Sequence, residues 1–321
     1  MIPEGWAYLP IKELCASIVD CVNKTAPIVD YETPYKMIRT TNVRYGKVDT
    51  KNVRCVEKET FEKWVRRGAP KKGDIIFTRE APVGEAGLLN SNDMLFLGQR
   101  TMMYRADSNK SNHLFILYSL QTRFCQKQIE NFSNGGTVAH MRVPDCGKII
   151  LRVPPLPEQK KIAQILSTWD EAIETVEKLI ANSQQKKKAL MQQLLTGKKR
   201  FPGFDGEWKK MELGKLLDYK QPTPFLVKST KYSNEYATPV LTAGKTFILG
   251  YTNESFGVYE EYLPVIIFDD FTTASKFVDF PFKAKSSAMK MLTAKQGVSI
   301  KYIFEAMQML LLSVQVLPIK C

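Results

Sequence analysis

Positively charged side chains are concentrated in one stretch of this 321-residue chain. Residues 39–79 hold twelve lysines and arginines against five acidic residues, which gives a net charge of +7, whereas the whole chain carries +13. Cations at this density can bind a polyanion such as DNA, because each phosphate that they neutralise releases condensed counterions. Thr41, Asn42 and Tyr45 lie between the cations and are of types that contact base edges. A solubilising surface is the alternative interpretation of the charge.

Residue patterns typical of catalysis are missing from the sequence. Methyl transfer to a base would need a glycine-rich cofactor loop and an Asn/Asp-Pro-Pro-aromatic motif, and neither occurs. A metal-dependent nuclease needs paired carboxylates near a lysine, and the nearest candidate, Asp145 with Lys148, lacks the second acid. The six cysteines form no Cys-x-x-Cys pair, and the chain has only two histidines. We therefore expect no catalytic residue, no metal site and no chemistry by this chain alone.

The middle of the chain has the pattern of one long helix. Residues 158–196 contain no glycine or proline, and apolar residues recur at alternating spacings of four and three. This heptad pattern predicts a coiled-coil helix about 60 Å long, begun by Pro157 and ended near Gly197. A helix of this kind needs a partner helix to cover its seam. The predicted helix-pairing seam consists of Ile162, Leu166, Trp169, Ile173, Val176, Ile180, Leu190 and Leu194.

The sequences before and after this helix resemble each other in order. Such a series of matches predicts a duplicated domain, and each copy mixes strand-like runs with a helix, which indicates an α+β fold. In the second copy, nothing follows that corresponds to the strand-like run 149–153 or to the long helix, so we expect an incomplete second domain. The matching segments are Trp6, Ile11 and Leu14 with Trp208, Leu213 and Leu216, then 74–77 with 265–268, 101–104 with 288–291, and 113–120 with 301–308.

Several motifs, taken in order, resemble the specificity subunit of type I restriction-modification enzymes. In that family, two target recognition domains each recognise half of a bipartite DNA site. Two long helices pair antiparallel as a spacer and dock methyltransferase subunits, and restriction subunits join for cleavage. The motifs that carry the resemblance are Gly73–Thr78, Gly98–Arg100, Gly135–Thr137, the junction Pro154–Ala163, the helix end Leu190–Gly197, and Phe201-Pro202 before Trp208.

The resemblance implies an architecture and a set of partners. It places a first target recognition domain at residues 1–155, a long spacer helix at 156–200 and an incomplete second recognition domain at 201–321. The implied partners are double-stranded DNA, methyltransferase subunits and restriction subunits. A second copy of the chain, or another specificity subunit, would supply the missing helix. S-adenosylmethionine, ATP and Mg²⁺ would be used by the partner subunits, so this chain is expected to bind no cofactor.

Charge and residue type select the candidate DNA contacts in the first domain. The predicted phosphate contacts are Arg66, Arg67, Lys71 and Lys72. The predicted base or groove contacts are Arg39, Thr41, Asn42, Arg44, Arg79, Arg100, Thr137, His140 and Arg142.

Two other functions compete with that of a DNA-binding specificity subunit. A self-sufficient nuclease or methyltransferase is disfavoured by the missing motifs. A truncated coiled-coil interaction module with vestigial DNA recognition would bind partners through the helix without specific DNA affinity. The sequence shows no secretory signal and no apolar run of about 18 residues, so we expect a cytoplasmic protein without a membrane partner.

Overall fold

A computed structural model describes residues 2–133 and 139–314 of the chain, with side chains to residue 309. The chain divides into two compact units, residues 1–177 and 178–321. This division lies inside the long helix, whereas the sequence places domain limits on either side of that helix. The limits at residues 155 and 200 therefore remain predictions.

The first unit combines mixed sheets, in which β5 pairs with β8 and β3 with β9 in parallel, with helices. Its main sheet has the strand order β2-β10-β7-β8-β5-β4, and smaller sheets have the orders β6-β3-β9 and β1-β11. The strands are β1 (Ala7–Pro10), β2 (Cys15–Asp20), β3 (Tyr35–Ile38), β4 (Val43–Arg44), β5 (Gly46–Val48), β6 (Arg54–Cys55), β7 (Ile75–Arg79), β8 (Val83–Leu88), β9 (Met94–Leu97), β10 (Thr101–Ala106) and β11 (Ile150–Val153). The helices are α1 (Ile11–Leu14), α2 (Lys58–Trp64), α3 (His113–Gln121), α4 (Arg123–Ser133), α5 (Val143–Cys146) and α6 (Leu156–Leu194).

Strand β7 forms the centre of the first unit because both of its faces are buried. Its five residues are all buried, as expected for a run rich in β-branched and aromatic side chains. Phe77 packs with Tyr104 of β10 and with the buried sides of α3 and α4, and the two aromatic ring centroids are 5.6 Å apart. On the opposite face, Ile76 packs with Ile38 and Met103. Covering both faces fixes the ends of β7, where the candidate DNA contacts lie.

A buried carboxylate fixes the start of β7. Asp74 is 2% exposed and accepts two hydrogen bonds from the Arg105 guanidinium, 2.8 Å from Nε and 2.6 Å from Nη2. The same carboxylate accepts a bond of 2.7 Å from the backbone N–H of Lys71. The hydrogen bonds to Asp74 raise the pKa of Arg105 above its usual value, and the bond from Lys71 holds the loop that carries Lys71 and Lys72.

The second unit repeats the strand order of the first. Its main sheet has the order β12-β18-β15-β16, which corresponds to β2-β10-β7-β8, and a smaller sheet has the order β14-β13-β17. The strands are β12 (Leu217–Lys220), β13 (Thr238–Leu241), β14 (Ile248–Thr252), β15 (Val265–Asp269), β16 (Ser275–Val278), β17 (Lys283–Ala284) and β18 (Met289–Ala294). The helices are α7 (Leu213–Leu216) and α8 (Ile300–Val314). The structure thus confirms the α+β fold with two similar domains that the sequence predicts.

The strand register corrects one detail of the internal repeat. Tyr104 pairs with Ile75, and the equivalent partner of Ile266 in the second unit is Leu292. Residues 101–104 therefore correspond to 289–292, one position later than the sequence match indicates. The corrected offset is 188 residues, the same offset that relates residues 113–120 to residues 301–308. Runs of similar apolar residues allow a one-residue slip in sequence, whereas the hydrogen-bond register does not.

A buried ion pair supports the smaller sheet of the second unit. The Lys283 side chain is fully buried and lies 3.1 Å from Glu254, and its Nζ also donates to the Phe256 carbonyl. Burial alone would raise the pKa of Glu254. Backbone N–H groups of Ser229 and Lys228, together with the Lys283 ammonium, instead hold that pKa below its usual value. The Glu254 carboxylate therefore stays charged, and its contact with Lys283 fixes the loop between β14 and β15 to the sheet.

Helix α6 ends at Leu194, six residues before the predicted limit of the spacer at residue 200. Gly197 has a φ of +72°, the left-handed conformation that ends helices and favours glycine. At the other end, Gln159 is 1% exposed, accepts from the Asn112 backbone N–H and donates to the carbonyls of Lys110 and Pro154. Among the described helices, none combines the length and the apolar character needed to cross a membrane.

Replacing Asp74 with alanine should destabilise the first unit by about 2 to 3 kcal/mol, because the partly buried Arg105 guanidinium and the Lys71 N–H lose their acceptor. Urea unfolding of the full chain measures this change. Glu62→Ala is the matched control, since its 3.8 Å pair with Lys58 is exposed and should contribute about 0.5 kcal/mol or less. Equal effects of the two substitutions would contradict the role of Asp74.

Candidate nucleic-acid interface

Several predicted DNA contacts lie beside acidic residues at the carboxyl end of β7. Arg79 is 4% exposed, and its guanidinium lies 3.2 Å from Asp20 and donates to the Met141 carbonyl. Arg67 donates to the Cys21 carbonyl at 3.2 Å and lies 3.8 Å from the same Asp20 carboxylate. The sequence assigns base or groove contact to Arg79, and its burial corrects that assignment, because it anchors this end of the sheet instead.

A second acidic residue orients two exposed side chains beside Arg79. Glu80 Oε2 lies 3.2 Å from Arg100 Nε and 3.3 Å from His140 Nδ1. Arg100 has a φ of +71° and accepts a backbone hydrogen bond from Arg79 through its carbonyl. The strand end therefore presents an arginine and a histidine to solvent in a fixed arrangement. We call this group the β7-end cluster, and it consists of Asp20, Arg67, Arg79, Glu80, Arg100 and His140.

The turn before β4, together with β4 itself, holds four more predicted contacts with different exposures. Asn42 is 4% exposed, because its side chain accepts from the Arg39 backbone N–H and donates to the Asn52 carbonyl. This burial corrects the expectation that Asn42 contacts bases. Arg44 is half-buried and donates to the carbonyls of Thr40 and Val43. Thr41 is exposed, and Arg39 is half-buried.

The predicted phosphate contacts do not form a single patch. Lys71 and Lys72 are exposed and lie before the amino end of β7, whereas the β7-end cluster lies at its carboxyl end. Five strand residues at about 3.3 Å each separate the two groups by roughly 16 Å. Arg66 is exposed and donates to the Lys63 carbonyl. Two sets of cations at the two ends of one strand can contact phosphates at separate positions along a duplex.

Two further predicted contacts lie near the β7-end cluster in sequence. Arg142 is exposed and its Nε lies 2.8 Å from Asp145. Hydrogen bonds from Lys148 and Arg142 lower the pKa of Asp145, so this carboxylate stays charged and fixes the turn. Thr137 lies outside the described residues.

Two exposed aromatic residues were not included among the predicted contacts. Tyr45 is 92% exposed at the tip of the β4–β5 hairpin, between Arg44 and Lys47. Tyr45 and Gly46 both have positive φ, as a type I′ hairpin turn requires, and the glycine was the available sequence signal. Phe271 is 84% exposed between β15 and β16, at the position that Glu80 to Pro82 occupy in the first unit.

The cysteine environment favours thiols rather than metal ligands. Burial raises the pKa of Cys15 and of Cys146 to about 12, so both keep their protons at neutral pH. In residues 2–133 and 139–309, no three His, Cys, Asp or Glu side chains converge in an arrangement that holds a metal ion.

Helix α6 presents an apolar stripe to solvent in addition to these charged groups. The exposed fraction is 66% at Trp169, 55% at Ile173, 53% at Val176 and 53% at Ile180. Its fully buried residues, Gln159 and Ala163, both lie in the first part of the helix. The heptad seam is therefore available for a partner helix.

The chain is similar to known DNA specificity proteins. Residues 3–182 match the family model of the type I restriction modification DNA specificity domain. The chain is 56% identical over 109 residues to the type I restriction enzyme EcoR124I/EcoR124II specificity subunit of Escherichia coli, covering 33% of this chain and 26% of that protein. It is 28% identical over 206 residues to the type I restriction enzyme MjaVIII specificity subunit of Methanocaldococcus jannaschii, covering 62% of this chain and 47% of that protein. The chain thus spans about a quarter and about a half of these relatives.

Solved structures share the fold at low sequence identity. The type I restriction-modification system S subunit from M. genitalium aligns with a TM-score of 0.67 and 18% identity, covering 97% of this chain and 78% of that chain. A chain from a structure of complex assembly and conformational transition of the type I R-M system aligns with a TM-score of 0.51 and 16% identity, covering 99% and 82%.

The lysines before β7 should contribute to DNA binding without regard to sequence. In the double variant Lys71→Gln/Lys72→Gln, the slope of log K against log salt concentration should fall by about 2, because each lost phosphate contact contributes about 0.9. Fluorescence anisotropy with a 30-base-pair duplex of arbitrary sequence measures the slope.

The control is Lys160→Gln/Lys161→Gln, which removes the same charge from exposed positions on α6. This control should leave the slope nearly unchanged. If both variants reduce the slope equally, net charge rather than the position of Lys71 and Lys72 determines binding.

Proposed function

The chain belongs to the type I restriction modification DNA specificity family, and we propose that it is a non-catalytic subunit that binds DNA sequence-specifically and positions methyltransferase and restriction subunits. The proposal rests on one observation: the chain combines two similar α+β units with one long helix whose apolar stripe is exposed. A protein of this construction can bind DNA through its units and partner proteins through its helix.

The surfaces of the first unit support DNA binding. Arg100 and His140 are exposed but oriented by Glu80, so their donors are fixed before DNA arrives. Fixed donors near a groove suit base recognition, whereas the exposed Lys71 and Lys72 suit phosphates. Tyr45, exposed on a tight turn between two basic residues, adds an aromatic surface of the kind that contacts sugars and bases.

The catalytic chemistry is assigned to the partners. Methyltransferase subunits would use S-adenosylmethionine, and restriction subunits would use ATP and Mg²⁺, while this chain determines where they act. We infer that α6 is the spacer on which methyltransferase subunits dock. A second helix, from another specificity subunit or from a second copy of this chain, would cover its seam.

Co-expression with a cognate methyltransferase subunit tests the proposal. Base-resolution methylation mapping of the host genome should show a bipartite or palindromic motif. A palindromic motif would indicate that two copies supply the two halves. A soluble complex that methylates no motif would contradict specific DNA recognition and would favour an interaction module.

Charges placed in the seam should abolish assembly. In Ile173→Glu/Val176→Glu, two half-exposed apolar side chains become anions, and burying them against a partner becomes unfavourable. Size-exclusion chromatography with the methyltransferase subunit should show loss of the complex, while thermal unfolding of the chain stays unchanged. The control, Gln164→Glu/Asn182→Glu, adds the same charge to exposed positions on the other side of the helix and should assemble normally. A seam variant that still binds would contradict the assignment.

A further inference from the structure

The second unit has a different side chain at the strand end that corresponds to the β7-end cluster. Ile266 of β15 occupies the register position of Ile75 of β7, and Phe271 follows Ile266 by five residues, as Glu80 follows Ile75. The acid that orients two exposed basic side chains in the first unit is thus replaced by an apolar ring. This ring is 84% exposed, so packing within the unit does not account for its position.

The loop that carries Phe271 is held by the last residue of β15. One carboxylate oxygen of Asp269 accepts hydrogen bonds from the backbone N–H groups of Phe271 and Thr272, at 3.0 and 2.8 Å, and from the Thr272 hydroxyl at 3.0 Å. The Asp269 N–H donates to the Ala274 carbonyl at 2.9 Å and closes the loop. Hydrogen bonds from Thr272 and Phe271 lower the pKa of Asp269, so this carboxylate stays charged at neutral pH. A loop of fixed shape therefore holds the ring in solvent.

A salt bridge offsets the charge of the acid beside the ring. Asp270 Oδ2 lies 3.2 Å from Lys290 Nζ on the neighbouring strand β18, and the Asp270 side chain remains 41% exposed. The same Nζ lies 6.0 Å from the ring centre of Tyr219 on β12. The Lys290 ammonium thus reduces the repulsion that Asp270 alone would exert on a phosphate backbone.

The residue type limits what Phe271 can recognise on DNA. A phenyl ring has no hydrogen-bond donor or acceptor, so it cannot distinguish bases by the polar groups on their edges. The apolar group on a base edge is the C5-methyl of thymine, which lies in the major groove. The minor groove of an A·T pair presents only acceptors, which would oppose the Asp270 carboxylate next to the ring. These observations favour contact in the major groove.

We propose that Phe271 determines specificity for thymine in the DNA site, by packing its ring against the C5-methyl group in the major groove. The proposal rests on the proposed function and adds the chemical feature that the second unit recognises. The two units then recognise bases by different means, since Arg100 and His140 of the first unit offer hydrogen-bond donors. Insertion between base pairs as a wedge is the other way in which an exposed phenylalanine contacts DNA.

Methylation mapping with Phe271→Ala, in cells that also express the methyltransferase subunit, tests the proposal. The parent motif should contain a thymine whose position becomes degenerate in the variant, while the other positions of the motif persist. Tyr302→Ala is the control, because this exposed aromatic residue lies on α8, which follows the opposite end of β18. It should leave the motif unchanged. Thermal unfolding of both variants should match that of the parent, since both rings are exposed.

Deoxyuridine in place of that thymine removes only the methyl group. The complex of the full chain with the methyltransferase subunit should bind the deoxyuridine duplex about fourfold more weakly than the thymine duplex, which is the effect of burying one methyl group. The same complex with Phe271→Ala should bind the two duplexes equally. Fluorescence anisotropy measures all four affinities.

Equal binding of the two duplexes by the parent complex would overturn the proposal, and so would a motif that Phe271→Ala leaves unchanged. If the parent binds both duplexes equally and Phe271→Ala weakens both by the same factor, the ring acts as a wedge and does not recognise thymine. These results leave a methylated motif in place, so they contradict the thymine contact alone. The absence of any methylated motif would overturn the proposed function and the thymine contact together.

Discussion

The exposed apolar stripe of α6 is the constraint on which the proposed assembly depends. Burying one large aliphatic side chain contributes about 1.5 to 3 kcal/mol. Burial of a stripe of six or more such side chains would therefore contribute a large free energy that the isolated chain does not gain. The helix is fixed by Gln159 and Ala163 in its first part, and polar contacts follow further along, such as Tyr118 to Asp170 at 2.6 Å and Lys47 to Glu174 at 2.9 Å. Polar contacts on one side orient the helix without covering its seam. An apolar partner helix would therefore stabilise the protein by burying this stripe.

Polar contacts also orient the basic side chains of the candidate DNA surface. Asp20 and Glu80 hold the β7-end cluster, and Asp74 holds the loop that bears the lysines. Each acid restricts the conformations of neighbouring basic side chains before DNA binds, so less conformational entropy is lost on binding. These acids also lower the local net charge. The acids thus reduce the affinity for DNA but fix the positions of the basic side chains. A protein that distinguishes base sequences requires such fixed positions.

Periodic features of the fold could be predicted from the sequence, because they repeat a physical requirement along the chain. The heptads of α6, the apolar run of β7 and the order of the duplicated segments are such features. The exposure of single polar residues could not be predicted. Asn42 and Arg79 lie among exposed basic residues in sequence, yet partners as distant as Met141 bury Arg79. The role of Glu80 could not be predicted for the same reason, because Arg100 and His140 are distant from Glu80 in sequence.

Amide hydrogen exchange along α6 tests most directly whether the seam is an interface. Exchange of residues 166–190 would be measured in the chain alone and in its complex with methyltransferase subunits. Backbone hydrogen bonds of an uncovered helix open readily, whereas those packed against a partner open only with the complex. The account predicts strong new protection of this segment in the complex. A complex that forms while exchange along α6 stays unchanged would contradict it.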